Sequence, residues 1–249
     1  YDATEQLEQE QSVEIFFCAL NMIQKLMDCP DVAIYRVNKE KYARLFAYSS
    51  AKAASMGNTV YLPDKKSLDE ACNENRVYIN RSMEKEYPMM AYNVESEEQM
   101  EILIMLWSIP FERMTINEAN RLIVIGKLIQ TSVRRADRYL EALSEERYHS
   151  ESQILKASAF EELVGAYRKA SKEKLTEYVL LQIEVEGENE KETVDKFTSM
   201  LRESDYIGNL SDGKLYLLLT NTDLKGCSFV QNKLKQNGVA SSISEEGRL

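Results

Sequence analysis

Residues Leu201–Leu219, LRESDYIGNLSDGKLYLLL, decide how the second half of the chain folds. They set Arg202 and Asp205 at the end of a helical pattern, follow them with the turn-forming Gly208, Asn209, Ser211, Asp212 and Gly213, and close on a half-apolar strand. Alone, an Arg-x-x-Asp pair is what an i,i+3 ion pair on a helix surface looks like, a contact worth about 0.2–0.5 kcal/mol. Its meaning depends on its neighbours. Upstream, SQILKASAFEELVGAYRKASKEK (152–174) reads as a helix and EYVLLQIEVE (177–186) as a strand. GENE (187–190) is a turn, and KETVDKFTSMLRESD (191–205) reads as a second helix. Downstream come a strand, KLYLLLTN (214–221), a helix, LKGCSFVQNKLKQNG (224–238), and a strand, VASSIS (239–244). Such alternation predicts an α/β unit with a mixed sheet.

The first half reads differently. Residues 4–29 place Leu7, Val13, Phe16, Phe17, Leu20, Ile23, Leu26 and Met27 close to helical spacing, and Cys29, Pro30 and Asp31 stop the helix. DVAIYRVN (31–38) and YARLFAYSS (42–50) form an antiparallel hairpin, and TVYLP (59–63) a short strand. Residues 65–72 suit a short helix, with Ser67 as its cap and Glu70 at capping-box distance. RVYIN (76–80) is a strand, and 89–94 with 100–110 a last hairpin whose second strand, almost continuously apolar, is expected to be covered on both faces. From Thr115 the series Leu122, Ile125, Leu128, Ile129 and Val133 is helical, and its polar continuation to Glu151 predicts a connecting helix or coiled-coil seam. The chain thus divides into residues 1–143 and 144–249.

Composition narrows the function. Acidic residues outnumber basic ones 41 to 31, a net charge of −10. A surface of that sign repels a polyanion, so a nucleic-acid polymer is not an expected partner. The four cysteines, Cys18, Cys29, Cys72 and Cys227, include no C-x-x-C pair, and His149 is the single histidine. Neither a structural zinc site nor a His-dependent nucleophile is expected, so no metal, cofactor or catalytic residue is assigned. No run approaches the roughly 20 apolar residues that span a bilayer, and no signal-peptide pattern opens the chain. Tyr1 stands inside what already reads as a helix, which suggests a fragment excised from a longer protein.

Element order in 11–143, helix, hairpin, short crossover, hairpin and closing helix, resembles a GAF domain, a PAS-like antiparallel sheet with helices packed on one side. No Cys/His chromophore pair and no cyclic-nucleotide signature accompanies it, so a structural or dimerising role is expected there.

The second half resembles the GGDEF family, whose intact members make cyclic di-GMP on a cyclase-like α/β fold. Arg202 and Asp205 stand where that family has R-x-x-D, and Ser211-Asp212-Gly213-Lys214-Leu215 where it has its signature turn. LLLTNTDLKG (217–226) and Val239–Ser244 match its strand-to-helix passage and its late strand. The departures fall on the catalytic parts. The paired glycines of the turn are gone, its two acids are Gly213 and Lys214, and the metal-binding aspartate of the first strand is Gln182. Two-metal phosphoryl transfer needs acidic oxygens at both places, so synthesis of cyclic di-GMP is not expected.

What the resemblance preserves is the product-binding site. It implies that Arg202 forks onto a guanine edge and phosphate, that Asp205 accepts from the guanine N–H groups, and that Lys233 stands where the family has a supporting arginine. Lysine keeps the charge and loses the fork. A second R-x-x-D, Arg134 and Asp137, lies in the connecting helix and reads as structural, although the Arg134, Arg135 and Arg138 cluster could send one arginine to the ligand. A GAF-like domain before a degenerate GGDEF domain is similar to the PelD type of cyclic di-GMP receptor. That resemblance implies a cytoplasmic segment of a membrane-anchored protein that activates Pel-type exopolysaccharide synthesis through proteins of the synthase complex. The alternatives are a diverged diguanylate cyclase, and a scaffold that binds no ligand and forms a homodimer through its helices.

Overall fold

The structure, a computed structural model, describes residues 12–94, 101–150, 152–185, 201–202 and 204–244. It divides into two compact units, Tyr1–Tyr139 and Leu140–Leu249.

The first unit contains helix α1 (Ser12–Leu26), strands β1 (Val32–Val37), β2 (Tyr42–Tyr48) and β3 (Thr59–Tyr61), and helix α2 (Lys66–Asn73). Strands β4 (Tyr78–Ile79), β5 (Met90–Val94) and β6 (Glu101–Leu106) follow, then the 27-residue helix α3 (Ile116–Ala142). The strands make one antiparallel sheet in the order β3-β2-β1-β6-β5-β4. The two hairpins read from the sequence therefore meet at the centre, where β1 pairs β6 from Val32↔Leu106 to Val37↔Glu101.

Both faces of this sheet are covered, which corrects the expectation of helices on one side. Rings of Phe16 and Phe17 from α1 lie 4.6 and 5.7 Å from that of Phe46. Helix α3 packs on the same face, so close at Gly126 that an added Cβ would stand 2.7 Å from Cγ2 of Val94. On the opposite face α2 and the crossover bury Tyr35, Leu45, Leu62, Leu68 and Trp107 in one cluster, with the Tyr35 hydroxyl donating to the Gly57 carbonyl at 3.0 Å. Strand β6, buried from Ile102 to Leu106, needs apolar side chains in both directions.

Two local expectations are corrected here. Leu122, Ile125, Ile129 and Val133 are buried as read, but Leu128 is 44% exposed, because the close approach at Gly126 turns position 128 outward. Ser67 does not cap α2: a 3₁₀ turn over Leu62–Asp64 runs straight into the helix, Lys65 takes the cap position without a side-chain bond, and Ser67 falls inside the first turn. An ion pair from Lys41 to Asp69 at 3.0 Å ties α2 to the sheet instead. The cysteines carry free thiols. Burial first, and the charges of Asp69 and Glu101 second, push the Cys72 thiol up to about 12 against the pull of Lys41, so it stays neutral and packs as a small apolar residue.

The second unit contains the short α4 (Ser144–Arg147), α5 (Ala157–Lys172), β7 (Tyr178–Val185), β8 (Tyr206–Asn209), β9 (Leu215–Thr220), α6 (Leu224–Gln236) and β10 (Val239–Ile243). Its sheet order is β10-β7-β9-β8, and every ladder is antiparallel. The mixed sheet expected from strand–helix alternation is thus corrected. The crossover through α6 does leave β9 and β10 pointing the same way, but β7 lies between them and runs opposite to both, the split arrangement of ferredoxin-like units. Among the described residues, the one parallel contact is an isolated bridge from Leu155 to Gly208.

Alternation along the strands sends side chains to two helices. Toward α6 go Val179, Leu181, Ile183, Ile207, Leu215, Leu217 and Leu219, packed with Cys227 and Leu234. Toward α5 goes the other set, and there the backbone of Gly208 is pressed onto the fully buried Phe160. The α/β class read from the sequence, an antiparallel GAF-like sheet followed by a second α/β unit, is the observed one. The predicted helix over 191–205 lies outside the described residues as far as 200. Its described end, residues 201–202 and 204–205, is not helical.

Candidate ligand-binding site

Arg202 and Asp205 sit in the turn that enters β8. The Asp205 N–H donates to the Arg202 carbonyl at 3.0 Å, which closes the turn. Two bonds then fasten it to the end of β9: the Thr220 N–H donates to Asp205 Oδ1 at 3.1 Å, and the Thr220 hydroxyl donates to the Ser204 carbonyl at 2.9 Å. Thr220 is 2% exposed and is itself held in register by pairing with Tyr178. The carboxylate is therefore placed by the sheet rather than by a flexible side chain alone. Arg202 is exposed.

Immediately after Thr220 the chain turns into α6. Asn221 adopts φ +44°, its amide oxygen accepts from the Thr176 hydroxyl at 3.0 Å, and Asp223 caps the helix by accepting from the Gly226 N–H at 2.8 Å. Asn and Asp are the residues such a turn and cap need. The cap fixes the start of α6 and hence the direction of its later residues. Phe229 and Lys233, four apart, and Val230 and Leu234, also four apart, form one strip along the helix.

That strip and the Arg202–Asp205 turn enclose a pocket of about 200 Å³ lined by Leu201, Arg202, Asp205, Phe229, Val230, Lys233 and Leu234. The three residues singled out in the sequence, Arg202, Asp205 and Lys233, are brought together in it. Its composition, an apolar floor with a cation, a carboxylate and a second cation at the margin, is that of a small-molecule pocket in which few polar groups set orientation. The other R-x-x-D differs in setting: Arg134 and Asp137 lie inside the continuous helix α3.

The turn over residues 210–214 joins β8 to β9. Gly213 takes φ +76°, a conformation that favours glycine, and its N–H donates to the Leu210 carbonyl at 2.9 Å. Asp212 accepts from the Lys214 N–H at 2.9 Å and from the Tyr216 hydroxyl at 2.8 Å. The Lys214 N–H first, helped by the Tyr216 hydroxyl and the Lys214 charge, holds its carboxyl below the usual carboxylate range against the opposing cost of desolvation. Lys214 Nζ donates to Gln182 Oε1 at 3.3 Å, and Gln182 in turn donates to Glu184 at 3.1 Å. Lys214 and Gln182, two of the three positions noted in the sequence as departures, thus bond to each other.

Two contributors were missed by sequence reasoning. Thr220 was read only as the last residue of a strand, and nothing local marks it as the anchor of a turn fifteen residues away. Phe229 was legible in principle: it falls off the buried stripe of Cys227 and Leu234, and it is 69% exposed.

No family model matches the chain, and no curated protein sequence matches it. Among solved structures it is similar to PelD 158-CT from Pseudomonas aeruginosa PAO1, with 12% identity, 98% of this chain and 88% of that chain covered, and a TM-score of 0.43. It is similar also to PelD 156-455 from Pseudomonas aeruginosa PA14 in complex with c-di-GMP, with 12% identity, 93% and 82% covered, and a TM-score of 0.38. Residues 122 to 287 of a methyl-accepting chemotaxis protein match at 7% identity, covering 55% of this chain and 97% of that one, with a TM-score of 0.45.

Proposed function

We propose that the second unit is a receptor for cyclic di-GMP, not an enzyme that makes it. The observation that carries this reading is the convergence of Arg202, Asp205 and Lys233 on one pocket with an apolar floor. A guanidinium presents parallel N–H groups to the O6/N7 edge of guanine, and a carboxylate accepts from the adjacent N–H groups of its other edge. Lys233 supplies a point charge for a phosphate. A carboxylate accommodates about four hydrogen bonds, so the bond from Thr220 positions Asp205 while leaving it capacity for a ligand. The volume, about 200 Å³, is below the roughly 300–1,000 Å³ of pockets that enclose a drug-sized ligand. One base is expected inside, with the rest of the dinucleotide across the surface.

The same reading makes the degenerate turn inert. Metal-assisted phosphoryl transfer requires acidic oxygens, and Lys214 and Gln182, which bond to each other, supply none. We infer that ligand occupancy is passed to proteins of an exopolysaccharide synthase, in a protein held at the inner membrane by segments beyond this chain. Among the described residues no helix is long and apolar enough to cross a membrane.

Thermal unfolding with nucleotides tests this. Cyclic di-GMP at a hundred times its dissociation constant is expected to stabilise the protein by about 2.7 kcal/mol. GTP with Mg²⁺ is expected to yield no cyclic di-GMP on chromatography. Robust product would make the protein a cyclase, and an unchanged melting curve with cyclic di-GMP would remove the receptor reading.

A further inference from the structure

We infer that Phe229 is the stacking platform for the guanine base held by Arg202 and Asp205, so that base recognition here combines edge-reading from the turn with face-reading from helix α6. This rests on the receptor reading above. The side chain is 69% exposed, among the most exposed large apolar residues described, yet it lines the pocket beside Arg202, Asp205 and Lys233. It does not serve the core of its own unit, where α6 contributes the buried Cys227 and Leu234. Solvating an aromatic face leaves unused the contact area that a planar ligand would bury.

The chemistry fits one occupant. Hydrogen bonds from Arg202 and Asp205 lie in the plane of a base and hold its edges; they leave both faces to be covered by something else. An aromatic ring on a neighbouring helix covers a face without competing for those bonds. Phe229 is one helical turn from Lys233, so the same strip offers a ring for the base and a cation for the phosphate attached to it.

Stacking of one base on an aromatic side chain, measured by alanine substitution, corresponds to roughly five- to a hundredfold in affinity. The test is calorimetric titration of cyclic di-GMP into wild type, Phe229→Leu, Phe229→Tyr and Arg202→Ala, with circular dichroism as the control on folding. Because Phe229 is exposed, all are expected to fold. Phe229→Leu keeps an apolar side chain and loses the π face; it is expected to bind at least fivefold more weakly, and Phe229→Tyr to bind within about threefold of wild type. A second readout is Phe229→Trp, whose added emission is expected to be quenched saturably by cyclic di-GMP, while the buried Trp107 of wild type gives no such change. If Arg202→Ala loses affinity and Phe229→Leu binds like wild type, the stacking role is overturned and the receptor site stands. If neither substitution changes binding, or wild type does not bind, both fall together.

Discussion

Asp205→Ala is expected to abolish measurable cyclic di-GMP binding and, unlike Arg202→Ala, to destabilise the protein as well. Asp205 does two jobs. Its carboxylate is the acceptor proposed for the guanine N–H edge, and it also takes the N–H of Thr220, a residue 2% exposed. Removing it leaves that buried donor without its acceptor, which costs about 1–3 kcal/mol, in addition to the ligand contact. Arg202 is exposed, and its replacement should leave the unfolding midpoint of the apo-protein within about 0.5 kcal/mol of wild type. Chemical denaturation of the two apo-variants separates these expectations. Equal stability of Asp205→Ala and wild type would mean that the bond to Thr220 does not anchor the turn.

Gly208→Val is expected to have the largest effect on folding. The sequence reads Gly208 and Asn209 as part of a turn, but they belong to strand β8 (Tyr206–Asn209), where Gly208 is buried and valine would suit the backbone. In the structure an added Cβ would lie 2.4 Å from Cγ and 2.7 Å from Cβ of Phe160, a side chain with no exposure. Neither partner has room to yield, since β8 is held by β9 on one edge and by Leu155 on the other: the Leu155 N–H donates to Ile207 and the Asn209 N–H donates to Leu155. Overpacking of this kind costs about 1–3 kcal/mol, and a branched side chain against a locked ring should reach the upper end or beyond. Against a total stability of about 5–15 kcal/mol, that is a substantial share. Calorimetry should show a lowered transition for Gly208→Val, restored in part by adding Phe160→Leu. A variant as stable as wild type would contradict the packing of α5 on β8.

Legibility in the sequence followed the range of the interactions concerned. Elements set by local periodicity were readable: the hairpin of β1 and β2, the apolar run of β6, and the helix α6. Relations set by tertiary contact were not. Leu128 has the spacing of a core residue and is exposed, because a close backbone approach at Gly126 decides the rotation of α3. Ser67 has the spacing of a cap and is not one, since a preceding 3₁₀ turn shifts the helix start. The antiparallel order of the second sheet escaped for a similar reason: alternation reports which strands a helix joins, not which strand slides between them. For the site, the residue types of Arg202, Asp205 and Lys233 were readable from resemblance, whereas their convergence with Phe229 depends on the geometry of α6.

The account stands most directly on Arg202. Isothermal titration of cyclic di-GMP into wild type and into Arg202→Ala should give a saturable isotherm for the first and, for the second, an affinity lower by roughly ten- to a hundredfold, the loss expected for one bidentate guanine contact worth about 1–3 kcal/mol. Superimposable isotherms, or no heat from wild type, would contradict it.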